Sequence, residues 1–171
     1  MEDNKCFENY PISYVLLANL FQALIYLIGA SIIIYLGIIW LIFYLVYIIF
    51  LEFRLLKNSC VNCYYYGKIC FSGKGKLTSL FFKKGDSNKF NSKQIKFIDI
   101  LPDFLVSLVP IIIGIVLLIM DFEWLLLSLV IILFLLTFIG NALIRGSLAC
   151  KFCKQENIGC PADEFFNKAK E

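Results

Sequence analysis

Seven cysteines punctuate this chain, and six of them fall into two identically spaced sets. Cys60, Cys63 and Cys70 read C-x2-C-x6-C, and Cys150, Cys153 and Cys160 repeat that spacing 90 residues later. A C-x2-C step lets two thiolates grip one ion from a tight turn, with intervening backbone N–H groups pointing at the sulfurs. A third cysteine seven residues on can return to the same ion. Three thiolates stop one position short of the tetrahedron that zinc takes, and two such sets can repair the shortfall by sharing. Histidine is absent. That removes mixed cysteine–histidine zinc sites, any cysteine–histidine catalytic pair and the commonest general base near neutral pH. A transition-metal site here must be thiolate-dominated, and the chain reads as a non-enzyme.

Six cysteines hold two zinc ions if two sulfurs bridge. In that respect the two triplets resemble the halves of the fungal zinc binuclear cluster domain, which are spelled C-x2-C-x6-C and repeated. The resemblance implies that Cys60 and Cys150 bridge, while Cys63, Cys70, Cys153 and Cys160 are terminal ligands. It covers only the triplets, which are some eighty residues and a hydrophobic hairpin apart instead of a short loop. The DNA-binding role of that family does not carry over, and no nucleic-acid partner is expected. A single tetrahedral zinc could instead draw on Cys60, Cys63, Cys150 and Cys153. An iron–sulfur cluster could use four of the six, and Cys160-Pro161 is similar to the C-P ending of ferredoxin runs, although their compact C-x2-C-x2-C spacing is missing. Disulfides, which an extreme thermophile keeps even in its cytoplasm, and plain buried thiols are the remaining options. Zinc is the favoured metal, with iron–sulfur second. Cys6 stands outside both triplets and is expected to be a small buried hydrophobe.

What delivers these thiols to one place is the membrane. Of 171 residues, 60% are hydrophobic, against roughly half in an average domain, and the mean hydropathy is +0.81. The apolar residues are clustered. Ile12 to Leu51 contains no charged residue, nor do Phe104 to Met120 and Trp124 to Ile144. A bilayer core takes about 20 apolar helical residues per crossing. The sequence therefore predicts an all-α membrane protein with four transmembrane helices in two tandem hairpins. Their expected ranges are about 11–28, 32–55, 102–120 and 122–144. Pro11 suits a helix start, Gly29-Ala30-Ser31 is the expected first hairpin tip with Gly37 as second candidate, and Pro110 is an expected kink. Residues 32–55 are β-branched and aromatic, but in lipid each backbone group must be satisfied within its segment, so helix wins.

Each hairpin is followed by a cysteine triplet. Pro11 matches Pro102, and Arg54 matches Arg145, each one residue out of the 90-residue register. An internal duplication is the economical reading: residues 1–73 form the first repeat, 74–100 a basic loop, and 101–171 the second repeat. Lysine and arginine crowd the segments after the second and fourth helices and are missing from both hairpin tips. The positive-inside rule then puts both triplets and both termini in the cytoplasm of a cell-membrane protein. No cleavable signal peptide is expected from Met1 to Tyr10.

The central loop offers a glycine-punctuated basic turn, Ser72 to Lys76, that lacks the P-loop spacing. Leu77 to Lys84 reads either as an interfacial helix or as a plain loop. In the first case Leu77, Leu80, Phe81 and Phe82 dip into lipid while Lys74, Lys76, Lys83 and Lys84 meet anionic headgroups. Asn91-Ser92 could cap a further short helix. Glu52, Asp103, Asp121 and Glu123 are expected at helix ends, which argues against a proton-coupled pump. Asn19, Gln22, Ser107, Ser128, Thr137 and Asn141 are expected to hydrogen-bond between helices, and Trp40 and Tyr44 to pack between them.

The Ile- and Lys-rich, histidine-free composition, with Cys60 to Cys70 and Leu80 to Asp86, resembles uncharacterised small multi-pass membrane proteins of archaea. That resemblance implies no activity. Three roles stay open on sequence: a thiolate site that clamps two repeats together, a membrane redox protein with an iron–sulfur cluster or dithiol, and a metal transporter or sensor whose thiols receive the metal.

Overall fold

Four long apolar helices account for most of the chain, a consequence of the charge-free runs that must satisfy their backbone internally in lipid. The structure is a computed structural model and describes residues 6–86 and 97–160. Helix α1 spans Ile12–Ile33 and is followed by a 3-10 turn, Ile34–Leu36; α2 spans Ile38–Asn58. A short helix α3, Lys74–Phe81, precedes α4, Phe97–Met120. Helix α5 covers Trp124–Leu135 and continues as π-helix through Leu136–Gly140 and Ala142–Cys150; α6 is Lys154–Gly159. Four segments are long and apolar enough to cross a membrane: Ile12–Leu36, Ile38–Asn62, Asp99–Met120 and Trp124–Cys150. At about 1.5 Å per residue, the 22 residues of α1 reach about 33 Å, enough for a hydrocarbon core of about 30 Å.

Several boundaries differ from the sequence expectation. The first tip is at Gly37, not Gly29–Ser31. Gly37 has φ +109°, a conformation that side-chain-bearing residues avoid. Gly29 stays helical because it is needed for packing: a Cβ there would run into the Tyr44 hydroxyl and lie 3.3 Å from Pro110 Cγ. The Ser31 hydroxyl donates back to the Leu27 carbonyl at 2.8 Å, so it does not break the helix. Helix α4 starts five residues before Pro102, which therefore lies inside the helix and not at its start. The fourth span runs on to Cys150, six residues past the expected end. The helix expected from Asn91-Ser92 lies outside the described residues except for its last two positions.

The four long helices pack so that α1 and α4 form the central pair. Helix α2 packs on both α1 and α4, and so does α5, while α2 and α5 occupy opposite corners. Exchanging α1 with α4 and α2 with α5 leaves this pattern unchanged. One buried cluster joins Ile25 and Ile32 to Ile111, Leu126, Val130 and Leu133; another joins Ile33, Tyr44, Ile48 and Leu51 to Val106. The outer faces are apolar and exposed, as lipid-facing surfaces are. Trp40, expected between helices, is 58% exposed on such a face, whereas Tyr44 is 6% exposed and does pack inside.

Among the described residues, tyrosines supply helix–helix hydrogen bonds. Asn19, Ser128 and Asn141 donate to carbonyls of their own helices, Asn19 also reaching Ser72. Across helices, Tyr44 Oη donates to the Val106 carbonyl at 3.0 Å and Tyr47 Oη to the Pro102 carbonyl at 3.0 Å. The first of these answers a need set by sequence. Pro110 has no N–H, so the carbonyl four residues earlier, that of Val106, loses its helical donor.

Candidate thiol site at one end of the bundle

Both C-x2-C pairs sit where a long helix ends, and both adopt the same turn. The Cys63 N–H donates to the Cys60 carbonyl at 3.4 Å, and the Cys153 N–H to the Cys150 carbonyl at 3.0 Å. Beyond the turns the halves diverge. After Cys63 the chain doubles back through Tyr66 N–H to the Cys63 carbonyl and Lys68 N–H to the Tyr65 carbonyl, which returns Cys70. After Cys153 it enters α6 instead, which runs on toward Cys160.

Glycines tighten the first segment. Gly67 and Gly73 have φ of +77° and +73°. Gly75 presses against the Tyr65 and Lys68 carbonyls so closely that no side chain fits. That approach lets the Gly75 N–H donate to Cys70 Sγ at 3.3 Å. The Tyr65 N–H donates to Cys63, two residues earlier. Amide donors aimed at sulfur are what a C-x2-C turn offers thiolates.

A stretch before α1 joins the two cysteine segments. The Phe7 N–H donates to the Phe152 carbonyl at 3.1 Å, and Phe7 pairs in parallel with Cys153. The Tyr10 N–H donates to the Ile69 carbonyl at 2.9 Å, and Tyr10 Oη to the Ala149 carbonyl at 2.7 Å. Tyr65 Oη donates to the Phe7 carbonyl at 2.7 Å and accepts from the Lys154 N–H at 3.1 Å. Directly between the segments, the Tyr64 N–H donates to Gln155 Oε1 at 2.7 Å. Glu8 forms ion pairs with Lys68, at 2.9 Å, and with Lys154. Rings of Phe7, Tyr10, Tyr14, Tyr65, Phe71 and Phe152 fill the junction, with centroids 5.3 to 6.4 Å apart.

The thiols gather around this junction. Cys63 lies within electrostatic reach of Cys153, Cys60 and Cys70. Burial first, and then those thiols, push the Cys63 thiol up to about 12, against the opposing pull of the Tyr65 N–H. Burial also pushes Tyr65 up to about 12, with Cys153, Cys6 and Cys63 adding to it. Tyr10 is raised further, by burial and then by Cys153, Tyr65, Cys150 and Cys6. Cys63 and Cys153 are thus within electrostatic reach of each other across the two segments. Cys6, expected to be a small buried hydrophobe, is half-buried and within electrostatic reach of Tyr10 and Tyr65.

The cysteines form no disulfide among the described residues. A thiophilic divalent ion fits the donor chemistry, which is sulfur with amide N–H support and no histidine. The side chains as they stand are more open than a ligand shell. Among the described residues no three cysteine, aspartate or glutamate side chains are grouped closely enough to hold one ion.

The lysines expected at headgroups divide. Lys74 pairs with Glu52 at 2.6 Å, and Tyr26 Oη donates to the other Glu52 oxygen at 2.8 Å. Glu52 is six residues inside α2, about 9 Å from its end, deeper than the sequence implied. Lys76, Lys83 and Lys84 are exposed, as are Leu77, Leu80 and Phe81 on α3, while Thr78 is fully buried toward the bundle. No protein-family model, curated protein or solved structure matches this chain.

Proposed function

We propose that this multi-pass membrane protein is built from two hairpin repeats clamped on their cytoplasmic side by a shared thiolate site for zinc, drawn from the two cysteine triplets. The site is structural, and the protein is not an enzyme. The observation that carries the reading is the junction itself, where hydrogen bonds tie the two C-x2-C segments together with Cys63 and Cys153 within electrostatic reach. Zinc would neutralise the thiolates and convert a set of hydrogen-bonded contacts into a fixed joint. Around it, the chain's own groups do the positioning: the twin turns present the sulfurs, and the Tyr65 and Gly75 amides face them.

Two further observations support the architecture. The helix packing is unchanged by exchanging the first hairpin with the second, as expected for repeats related by an axis along the membrane normal. Arg54 and Arg145, which close the two apolar blocks, both lie within reach of Asp103. The cytoplasmic assignment rests on charge. Lysines and arginines cluster at the thiol end, and the turns at Ile34–Gly37 and Asp121–Glu123 carry none. The exposed apolar face of α3, with Lys76, Lys83 and Lys84 near it, suits the anionic inner-leaflet surface.

Purification without oxygen, followed by elemental analysis, tests the site. About one or two zinc ions per chain are expected from sharing six sulfurs among tetrahedral ions. A brown protein containing iron and sulfide would move the reading to an iron–sulfur redox centre. Protein that never takes up a thiophilic ion would end it.

A further inference from the structure

We infer that α3 is a lipid-inserted helix: its Leu77, Leu80 and Phe81 enter the acyl chains of an anionic inner leaflet, at a depth set by the Lys74–Glu52 ion pair. This rests on the reading of the thiol end as the cytoplasmic side, and it adds what α3 binds and what holds it there.

The residues that α3 turns inward are small. Gly75 and Thr78 are its buried residues. Leu77, Leu80 and Phe81, at helical spacing on the other side, are 44%, 75% and 65% exposed. A helix on a water-washed surface does the reverse and buries its large apolar residues. The seat fixes this orientation, because Gly75 packs against the Tyr65 and Lys68 carbonyls where no side chain fits. Beyond the helix, the Phe82 carbonyl accepts from Tyr66 Oη at 2.7 Å, and the Gly85 N–H donates to the Val61 carbonyl at 3.0 Å.

Depth follows from the first turn. The Ser72 carbonyl accepts from Asn19 Nδ2 at 3.2 Å, which ties the approach to α1. Gly73, with φ +73°, then turns the chain so that Lys74 reaches between α1 and α2. Its Nζ lies 2.6 Å from Glu52 Oε2, and Tyr26 Oη of α1 donates to Glu52 Oε1 at 2.8 Å. Both carboxylate oxygens are thus partnered, as an ionised group inside a span requires. Glu52 belongs to the span Ile38–Asn62, and its neighbours Phe50 and Phe53 face outward on α2. Lys74 reaches this carboxylate only if α3 starts level with the last turns of α2, at the edge of the hydrocarbon layer and not above it.

Charge selects the occupant. From Ser72 to Gly85 the chain has four lysines and no acidic residue. Lys74 is taken by Glu52, and Lys76, Lys83 and Lys84 are exposed. Two copies of so basic a strap would repel, whereas anionic headgroups beside the apolar stripe satisfy both surfaces.

Tryptophan fluorescence of the full-length protein in nanodiscs, one chain per disc, reads the insertion. In a Trp40→Phe, Trp124→Phe background, Leu80→Trp should emit at short wavelength and be quenched by phospholipid brominated along its acyl chains. In an equimolar disc, bromine on phosphatidylglycerol should quench in preference to bromine on phosphatidylcholine by at least about fivefold, the contribution of one lysine near an anionic surface. Lys76→Gln, Lys83→Gln and Lys84→Gln together should remove that preference. Glu52→Gln and, separately, Lys74→Met should each reduce acyl-chain quenching while helix content by circular dichroism stays the same. A tryptophan at position 80 that escapes bromine on both lipids would mean that α3 faces water or protein, and would overturn the insertion. Equal quenching by the two lipids would overturn the anionic partner, and unchanged quenching in both Glu52→Gln and Lys74→Met would overturn the role of the ion pair. Disc leaflets are alike and no reading depends on bound metal, so a wrong sidedness or a missing thiolate site would leave these results as they are.

Discussion

Replacing Tyr44 with phenylalanine removes one oxygen atom from the bundle interior, and its effect can be worked from the contacts. Tyr44 is 6% exposed, and its hydroxyl donates to the Val106 carbonyl at 3.0 Å. Interhelical hydrogen bonds in membranes average only about 0.6 kcal/mol, because groups that lose a partner usually find another. The Val106 carbonyl is a poor candidate for that rescue. Its helical donor would be the N–H at position 110, which is a proline. An acceptor left bare in an apolar medium costs about 1–3 kcal/mol, so Tyr44→Phe should destabilise by about 1–2 kcal/mol, the upper part of the membrane range. Gly29 supplies an internal control. A Cβ at position 29 would collide with the Tyr44 hydroxyl, so Gly29→Ala alone should cost about 1–3 kcal/mol through overpacking. With the hydroxyl gone, much of that clash goes too. The double variant should therefore be less destabilised than the sum of the singles, with a coupling of at least about 0.5 kcal/mol. Equilibrium unfolding in mixed detergent micelles, followed by far-UV circular dichroism, measures all four proteins. A neutral Tyr44→Phe together with strict additivity would show that the proline-freed carbonyl and the Gly29 approach do not act as described.

Three other outcomes follow from the thiol end. Tyr65→Phe removes a hydroxyl that links the Phe7 carbonyl to the Lys154 N–H; it should cost about 1–3 kcal/mol and speed proteolysis of the N-terminal stretch, whereas unchanged cleavage kinetics would contradict the joint. Glu8→Gln should cost under about 1 kcal/mol despite losing two ion pairs, because these are solvent-exposed and screened; a loss above about 2 kcal/mol would mean that the exposed pairs dominate. In metal-free protein the Cys63 thiol, raised to about 12 from an ordinary 9.0, should react with maleimide at pH 8 roughly two to three orders of magnitude more slowly than an exposed thiol. The same shift has a sign for stability. Between pH 9 and about 12 the folded form holds a proton that the unfolded form has released, so the contribution is complete below pH 9 and is lost as pH rises toward 12. Ready labelling at pH 8, or stability that climbs over that window, would refute the buried-thiol environment.

The four spans were legible because lipid imposes a coarse rule: about twenty residues without charge must become helix. The turn was harder. The sequence favoured Gly29-Ala30-Ser31 over Gly37 as the tip, and only the packing of Tyr44 and Pro110 against position 29 reverses that order. Asn19, Ser128 and Asn141, expected to bridge helices, turn back on their own helices for a related reason. Short amides and hydroxyls reach their own helix more readily, while a tyrosine spans the gap to a neighbour. Twin spacing located the C-x2-C turns, since three-residue turns are local. It did not foretell the divergence after Cys63 and Cys153, where Gly67, Gly73 and Gly75 fold one stretch back while Lys154–Gly159 forms helix. Glu8 was beyond reach, because its importance comes from tertiary contacts at more than fifty residues' separation.

The most direct test is the metal content of Cys63→Ser beside that of the wild-type chain, both purified without oxygen and measured together with their titratable thiols. A shared site predicts that the wild type carries a thiophilic ion and protected cysteines from both segments. It also predicts that the single substitution lowers metal content and exposes thiols in both segments, Cys150 and Cys153 included. Loss confined to the first triplet would mean two separate sites. Metal-free wild type with all thiols titratable, and the same thermal stability after metal addition, would contradict the clamp altogether.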